Sequence, residues 1–171
     1  MSDVVSEYPE LVLRPHQEEH YQRVREILEV FYFYMDASKQ GTGKTYIAGK
    51  LSLDLGLPIM VICPLSARHI WNDISAEYGV PIYDIPGTGG VMTYDSLSSK
   101  KGKQPKHGLL IRDDTFSKPV YYPSPVWQAI VDEGVLLIVD ECQLAKNDNT
   151  RNRALAGLMQ SIYGGGNSRA A

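Results

Sequence analysis

The segment Ser38-Lys39-Gln40-Gly41-Thr42-Gly43-Lys44-Thr45 (SKQGTGKT) follows an apolar run that ends at Asp36 and passes directly into a helical pattern. Strand, glycine-bearing loop and helix in that order form the context a phosphate-binding loop requires. Gly41 and Gly43 let the backbone wrap close to phosphate oxygens, so that successive N–H groups and the start of the following helix face negative charge. Lys44 adds an ammonium that can reach the β- and γ-phosphates, and the Thr45 hydroxyl can coordinate Mg2+. Ser38, Lys39, Gln40 and Thr42 complete the cradle, with Ser38 standing where the general pattern has glycine.

A loop of this kind needs an acidic partner, and VLLIVDECQ at 135–143 supplies one. Asp140 and Glu141 end a buried apolar strand, at the edge where a parallel sheet presents its ligands. Asp140 is suited to hold the shell of the same Mg2+, and Glu141 to orient or deprotonate an attacking water. Lys44, Asp140 and Glu141 are therefore the candidate catalytic residues, and Thr45 and Asp140 the candidate metal ligands, for a site that takes ATP with Mg2+.

Working outward, short apolar runs alternate with helical patterns, as in chains built from βα units around a parallel sheet. Strands are expected at VFYFYMD (30–36), PIMVIC (58–63), VMTY (91–94) and VLLIVD (135–140), all apolar on both phases, as strands covered on two faces should be. Between the first two, Ile47, Leu51 and Leu55 recur every four residues, which predicts a helix beginning at Lys44-Thr45 and closed at Gly56 in a left-handed conformation. SARHIWNDISAEYG predicts a second helix with Ile70 and Ile74 on one face beside Trp71, which reads as packing. Residues 98–124 break the alternation: SSKKGKQPKHG is polar and basic, and LLIRDD and KPVYYPS read as a β-hairpin inserted near 108–122 at an edge. SPVWQAIVDEG and TRNRALAGLMQSIYGGG return to helix.

The chain has 171 residues, 43% hydrophobic and 22% charged, which suits a single ordinary domain. A formal net charge of −3 gives no global reason to expect nucleic acid, so any such contact must be local. Cys63 and Cys142 lie far apart inside apolar runs and read as small buried thiols rather than a disulfide or metal pair. No apolar run approaches the ~20 residues that cross a bilayer, and MSDVVSEYPE lacks the basic start and apolar stretch of a secretory signal. The expectation is an intracellular, reducing location in cytoplasm or nucleus, without membrane partners.

Six segments stand in an order that resembles superfamily 2 helicases, particularly their Swi/Snf-like branch: LRPHQ, SKQGTGKT, CPLSARHIW, TYDSL, DECQ and LAKN. The resemblance spans roughly residues 11–169 and implies an α/β RecA-like P-loop NTPase domain, a mostly parallel sheet flanked by helices. It further implies ATP hydrolysis coupled to work on DNA or RNA by the full-length protein. LRPHQ is similar to the family's adenine-reading element, which implies that Gln17 pairs with the base edge and that Arg14 lies close by; an amide that donates and accepts at once suits that edge. His16 replaces a commoner aromatic. CPLSARHIW and TYDSL resemble the two segments that lie along a nucleic-acid backbone, implying contacts from Pro64, Ser66 and Thr93. In DECQ, Gln143 stands where better-known signatures carry histidine or aspartate, at a position that couples ATP to the second domain.

Lys100 and Lys101, with Lys103 and Lys106, could add electrostatic affinity for a strand, the alternative being a flexible solvated loop. The chain ends at NSRAA, where the family's SAT motif would come next, so one ATP-binding domain over 1–171 is expected, with its second RecA-like domain missing and turnover correspondingly low. Two other readings remain open: a self-contained P-loop ATPase of another class, and a RecA-like binding module without catalysis.

Overall fold

The computed structural model describes residues 7–36, 41–85, 87–145, 147, 149–163 and 166–171. Its helices are α1 (Pro15–Val30), α2 (Lys44–Leu55), α3 (Arg68–Tyr78), α4 (Tyr94–Leu97), α5 (Pro125–Glu133) and α6 (Thr150–Ile162). Its strands are β1 (Ile59–Cys63), β2 (Val91–Thr93), β3 (Leu110–Asp113), β4 (Val120–Pro123), β5 (Leu136–Val139) and β6 (Arg169–Ala170). Four strands form one sheet in the order β2-β1-β5-β6, every neighbouring pair parallel. β3 and β4 pair antiparallel in a separate sheet.

The alternation of side chains along β1 and β5 divides the interior in two. Ile59, Val61 and Cys63 of β1, with Leu136 and Ile138 of β5, face α1, α2 and α3 through Tyr21, Val24, Leu28, Ile47, Leu51, Trp71 and Ile74. Met60, Ile62 and Leu137 face the opposite way, into a core built by Trp127, Ile130 and Val131 of α5 and Ala154, Leu158 and Ile162 of α6. All five residues of β1 are fully buried. The fold is thus α/β, a mostly parallel sheet flanked by helices, consistent with a RecA-like domain.

One expected strand needs correction. The run 30–36 forms no strand: it meets the sheet at one bridge, Phe33 to Ala170, with Tyr34 N–H donating to Ala170 O (3.0 Å) and Ala170 N–H to Tyr32 O (3.0 Å). Its neighbour β6 offers only two residues for pairing; Phe33 and Tyr34 are half-buried against the two cores, while Phe31 and Met35 remain exposed, so the run is covered only at its middle. β6 itself was not anticipated from SRAA, which has no strand periodicity. The hairpin expected near 108–122 is present as β3 and β4, paired apart from the main sheet; β4 packs on α6, where Gly157 approaches so closely that an added Cβ would stand 2.7 Å from Tyr121 O.

Smaller corrections concern individual side chains. Ile70 is exposed, and the buried pair on α3 is Trp71 and Ile74. Cys63 is buried as expected, but Cys142 is exposed. The left-handed Gly56 closes α2 as the pattern requires.

The segment 98–108 between α4 and β3 is tied down by side chains. His107 is buried, donating from Nε2 to Leu97 O (3.0 Å) while Nδ1 accepts from Leu109 N–H (3.0 Å). Burial pushes the His107 pKa below its ordinary value. The folded state therefore disfavours the proton that the unfolded chain takes up near ~6.5. This stabilising contribution is complete above that pH and is lost as pH falls from there toward the lowered folded value. In urea unfolding, wild type is expected to lose more stability between pH 7.5 and 5.5 than His107→Gln does; identical pH slopes would contradict the assignment.

Candidate functional site

Parallel strands deliver their ends to one edge. The register pairs Ile62 with Val139 and Cys63 with Thr93, so Thr93, Cys63 and Asp140 stand in a row at the carboxyl edge of the sheet, with Pro64 and Glu141 just beyond. Asp140 N–H continues the ladder by donating to Ile62 O (2.9 Å). The bridge at Phe33 is also parallel, so residues 34–36 leave the sheet at this same edge.

Asp140 is held at two points, its carboxylate and its main-chain carbonyl. Trp71, buried in α3, donates its indole N–H to Asp140 Oδ2 (3.2 Å), and Tyr94, at the start of α4, donates its hydroxyl to Asp140 O (2.7 Å). Burial pushes the Tyr94 pKa well above its ordinary value, with nearby Cys142 and Asp140 adding to the effect, so the phenol remains a donor. Among the described residues Asp140 Oδ1 accepts no hydrogen bond, which leaves that oxygen available. Neither aromatic is legible as a site residue from sequence alone, because an indole at core spacing on a helix reads as packing. Cys63, beside them, has its thiol pushed up to about 11 by burial and stays neutral.

Glu141 takes φ +57, the sole positive φ outside glycine among the described residues. Such a backbone is uncommon for a residue with a Cβ and is found disproportionately at functional sites. It turns the chain sharply after Asp140 into the short helical turn Cys142–Ala145, where the exposed Gln143 donates from Nε2 to Glu141 Oε2.

The second group of candidate residues gathers at the start of α2. Gly43 caps the helix at φ +84, and Lys44 and Thr45 open it, so their N–H groups belong to the first turn, which has no intrahelical acceptors. Gln17, buried in the first turn of α1, accepts from Arg14 N–H through Oε1 (2.8 Å) and points Nε2 at Thr42 O (3.5 Å). A Cβ added at Gly43 would fall 1.8 Å from Gln17 Nε2. The structure thereby brings Gln17 against Thr42 and Gly43, although 25 residues separate Gln17 from Thr42, with the exposed Arg14 bonded to Gln17 through its N–H. Gly43→Ala would combine that clash with a left-handed backbone, and is expected to destabilise the domain by about 1–3 kcal/mol in urea unfolding. Wild-type stability in that variant would remove Gln17 from the loop.

Ser38, Lys39 and Gln40 lie outside the described residues. No hydrogen bond or ion pair joins Lys44 to Asp140 among those described. Ser66 is exposed in the turn after β1, and Lys100 and Lys101 are exposed beyond α4. The described residues contain no cluster of three or more His, Cys, Asp or Glu side chains that could cage a metal. A cleft of about 450 Å³ lies between α1 and residues 34–36, lined by His16, Glu19, His20, Arg23, Tyr34, Met35 and Asp36. A cleft of about 490 Å³ at Tyr122, Pro123, Gln128, Gln160 and Ser161 contains none of the candidate residues.

The parallel α/β sheet ends β5 in the acidic pair Asp140 and Glu141, and α2 opens at a left-handed glycine, features consistent with a RecA-like fold. In agreement, 147 residues, 84% of this chain, are 27% identical to a protein of Acanthamoeba polyphaga mimivirus provisionally named ATP-dependent RNA helicase L364. The matched stretch covers 26% of that relative, so this chain spans about a quarter of its length. No protein-family model matches the chain, and no solved structure does. None of the described helices is long and apolar enough to cross a membrane.

Proposed function

We propose that this chain is the ATP-binding domain of a superfamily 2 helicase or translocase, whose full-length protein couples ATP hydrolysis to movement on, or remodelling of, DNA or RNA with a second RecA-like domain in cis. The observation that supports the reading best is the packing of Gln17 onto Thr42 and Gly43 at the start of α2, the contact expected if Gln17 reads a base whose phosphates lie on that helix start.

The residues present fit Mg-ATP. The first-turn N–H groups of α2 and the Lys44 ammonium would bind the phosphates, with Ser38 to Thr42 closing around them. Gln17, with Arg14 nearby, would read the adenine edge. Thr45 and Asp140 Oδ1 would hold Mg2+; a site with one carboxylate and one hydroxyl, completed by phosphate oxygens and water, is the usual protein contribution for this ion. The bound ion would neutralise charge that develops on the transferred phosphoryl group. Glu141 would accept or orient the proton of an attacking water, and Gln143, hydrogen-bonded to Glu141, would set that carboxylate's direction. Pro64, Ser66 and Thr93, on the same edge, would meet a nucleic-acid backbone. Calorimetric titration of Mg-ATP into the chain tests the reading: saturable binding that weakens when EDTA removes the metal is expected, and no heat of binding at all would end it.

A further inference from the structure

The charge of this chain is unevenly distributed. Residues 98–118 carry six basic and two acidic side chains, a net of +4, which leaves the rest of the molecule at −7 against a total of −3. A local excess of that size within an acidic protein is the electrostatic mark of a surface for a polyanion.

That segment is also built. Arg112, buried on β3, donates from Nε to Asp114 Oδ1 (2.8 Å), from Nη1 to Tyr121 Oη (3.0 Å) and from Nη1 to Ser99 O. The Gln104 amide takes both main-chain groups of Arg112, accepting from its N–H (2.7 Å) and donating to its carbonyl (2.9 Å), as a neighbouring strand would. Gly102 N–H donates to Asp114 Oδ2 (2.9 Å), and Ser99 Oγ donates to Lys103 O (2.6 Å). Arg112 and Asp114 thus spend their charges on each other, while Lys100, Lys101, Lys103 and Lys106 are exposed and, among the described residues, make no ion pair. The solvated-loop alternative does not describe a segment held at Ser99, Gly102, Gln104 and His107.

Two residues past Asp114, Phe116 stands at the hairpin turn with 57% of its surface exposed, and Ile111 and Tyr122 form an exposed cross-strand pair on the outer face. Exposed lysines on a loop tied through Gly102 to Asp114, two residues before an exposed aromatic ring, suit a single strand, because phosphates are neutralised while bases stack. An acidic peptide would need the charge but not the ring at the turn, and an anionic bilayer, which can use both, is an arm of the test below.

We propose that the clamped loop 98–108 and the hairpin turn at Phe116 form a preorganised single-stranded nucleic-acid grip, separate from the sheet edge at Pro64 and Thr93. The choice of ligand rests on the helicase-like reading above. Holding the loop backbone in place before binding reduces the ordering cost of association, leaving only the lysine side chains to order.

The test is fluorescence anisotropy of a 15-nucleotide oligo-dT and oligo-rU across a salt series, using the whole chain. Changing all four lysines to Gln is expected to weaken binding about tenfold at low salt and to flatten log K against log[salt] by roughly 0.7 for each lysine that meets a phosphate. Phe116→Ala should weaken binding a few-fold with the slope unchanged, and thermal midpoint and Mg-ATP binding should remain those of wild type in both variants. Wild-type oligonucleotide affinity and slope in the quadruple variant would overturn the proposal, as would anionic vesicles or polyglutamate binding wild type as tightly as the oligonucleotides do. Lysine-dependent oligonucleotide binding in a chain that takes no Mg-ATP would keep the grip and remove the motor.

Discussion

Lys44→Ala should bind Mg-ATP about 10- to 100-fold more weakly than wild type, with an unchanged thermal midpoint. The magnitude follows from the loss of a charge-assisted contact, about 1.5–3 kcal/mol, at 1.4 kcal/mol for each factor of ten. Stability should not follow, because Lys44 lies at the partly exposed start of α2, makes no ion pair among the described residues, and contributes nothing to either core. A helix start tolerates alanine at its first position, so the backbone cradle survives the change. Calorimetry with ATP and Mg2+, alongside a thermal melt, separates the two quantities. Equal affinity in wild type and variant would mean that the loop holds no phosphate.

How much of this was legible before the coordinates depends on the range of the interaction. Glycine, lysine and threonine at 41–45 announce themselves because a tight loop and a helix start are local events, and α2 does begin at Lys44. β1 and β5 were legible because strands covered on two faces leave unbroken apolar runs, and both of their faces are indeed covered. The run at 30–36 has the same composition and failed as a strand, since pairing is decided by the neighbour, and β6 is two residues long. β6 left no trace in sequence because two residues carry no period.

The contacts that position the site were less legible still. Trp71 and Asp140 are 69 residues apart, and nothing in the composition of α3 separates a packed indole from one whose N–H is spent on a carboxylate. The Gln104 and Arg112 clamp joins side chain to backbone across eight residues, a pairing that neither helical nor strand periodicity records. Gln17 was singled out by its likeness to an adenine-reading element, but its place against Gly43 required the packing of α1 on α2.

Asp140→Ala is expected to remove the Mg2+ dependence of nucleotide binding, leaving ATP bound with similar weak affinity in Mg2+ and in EDTA, and Trp71→Phe is expected to produce part of that loss. The two variants belong together because the carboxylate divides its oxygens: Oδ2 accepts the Trp71 indole N–H, and Oδ1 faces no donor among the described residues. Deleting the carboxylate would remove the one charged protein ligand proposed for the ion and leave only the Thr45 hydroxyl. Replacing the indole with a phenyl ring keeps most of the buried apolar surface but frees the carboxylate to rotate, so the metal must fix it at a cost of about 1–2 kcal/mol, roughly a tenfold loss in the Mg2+-dependent part of the affinity. Trp71→Phe will also lower stability through the volume lost beside Ile74, which makes the thermal midpoint a poor readout. The ratio of affinities with and without Mg2+ is the useful one, since a purely structural role would reduce both alike. A Trp71→Phe variant with the wild-type ratio would reduce the indole to packing, and an Asp140→Ala variant that still responds to Mg2+ would place the ion elsewhere.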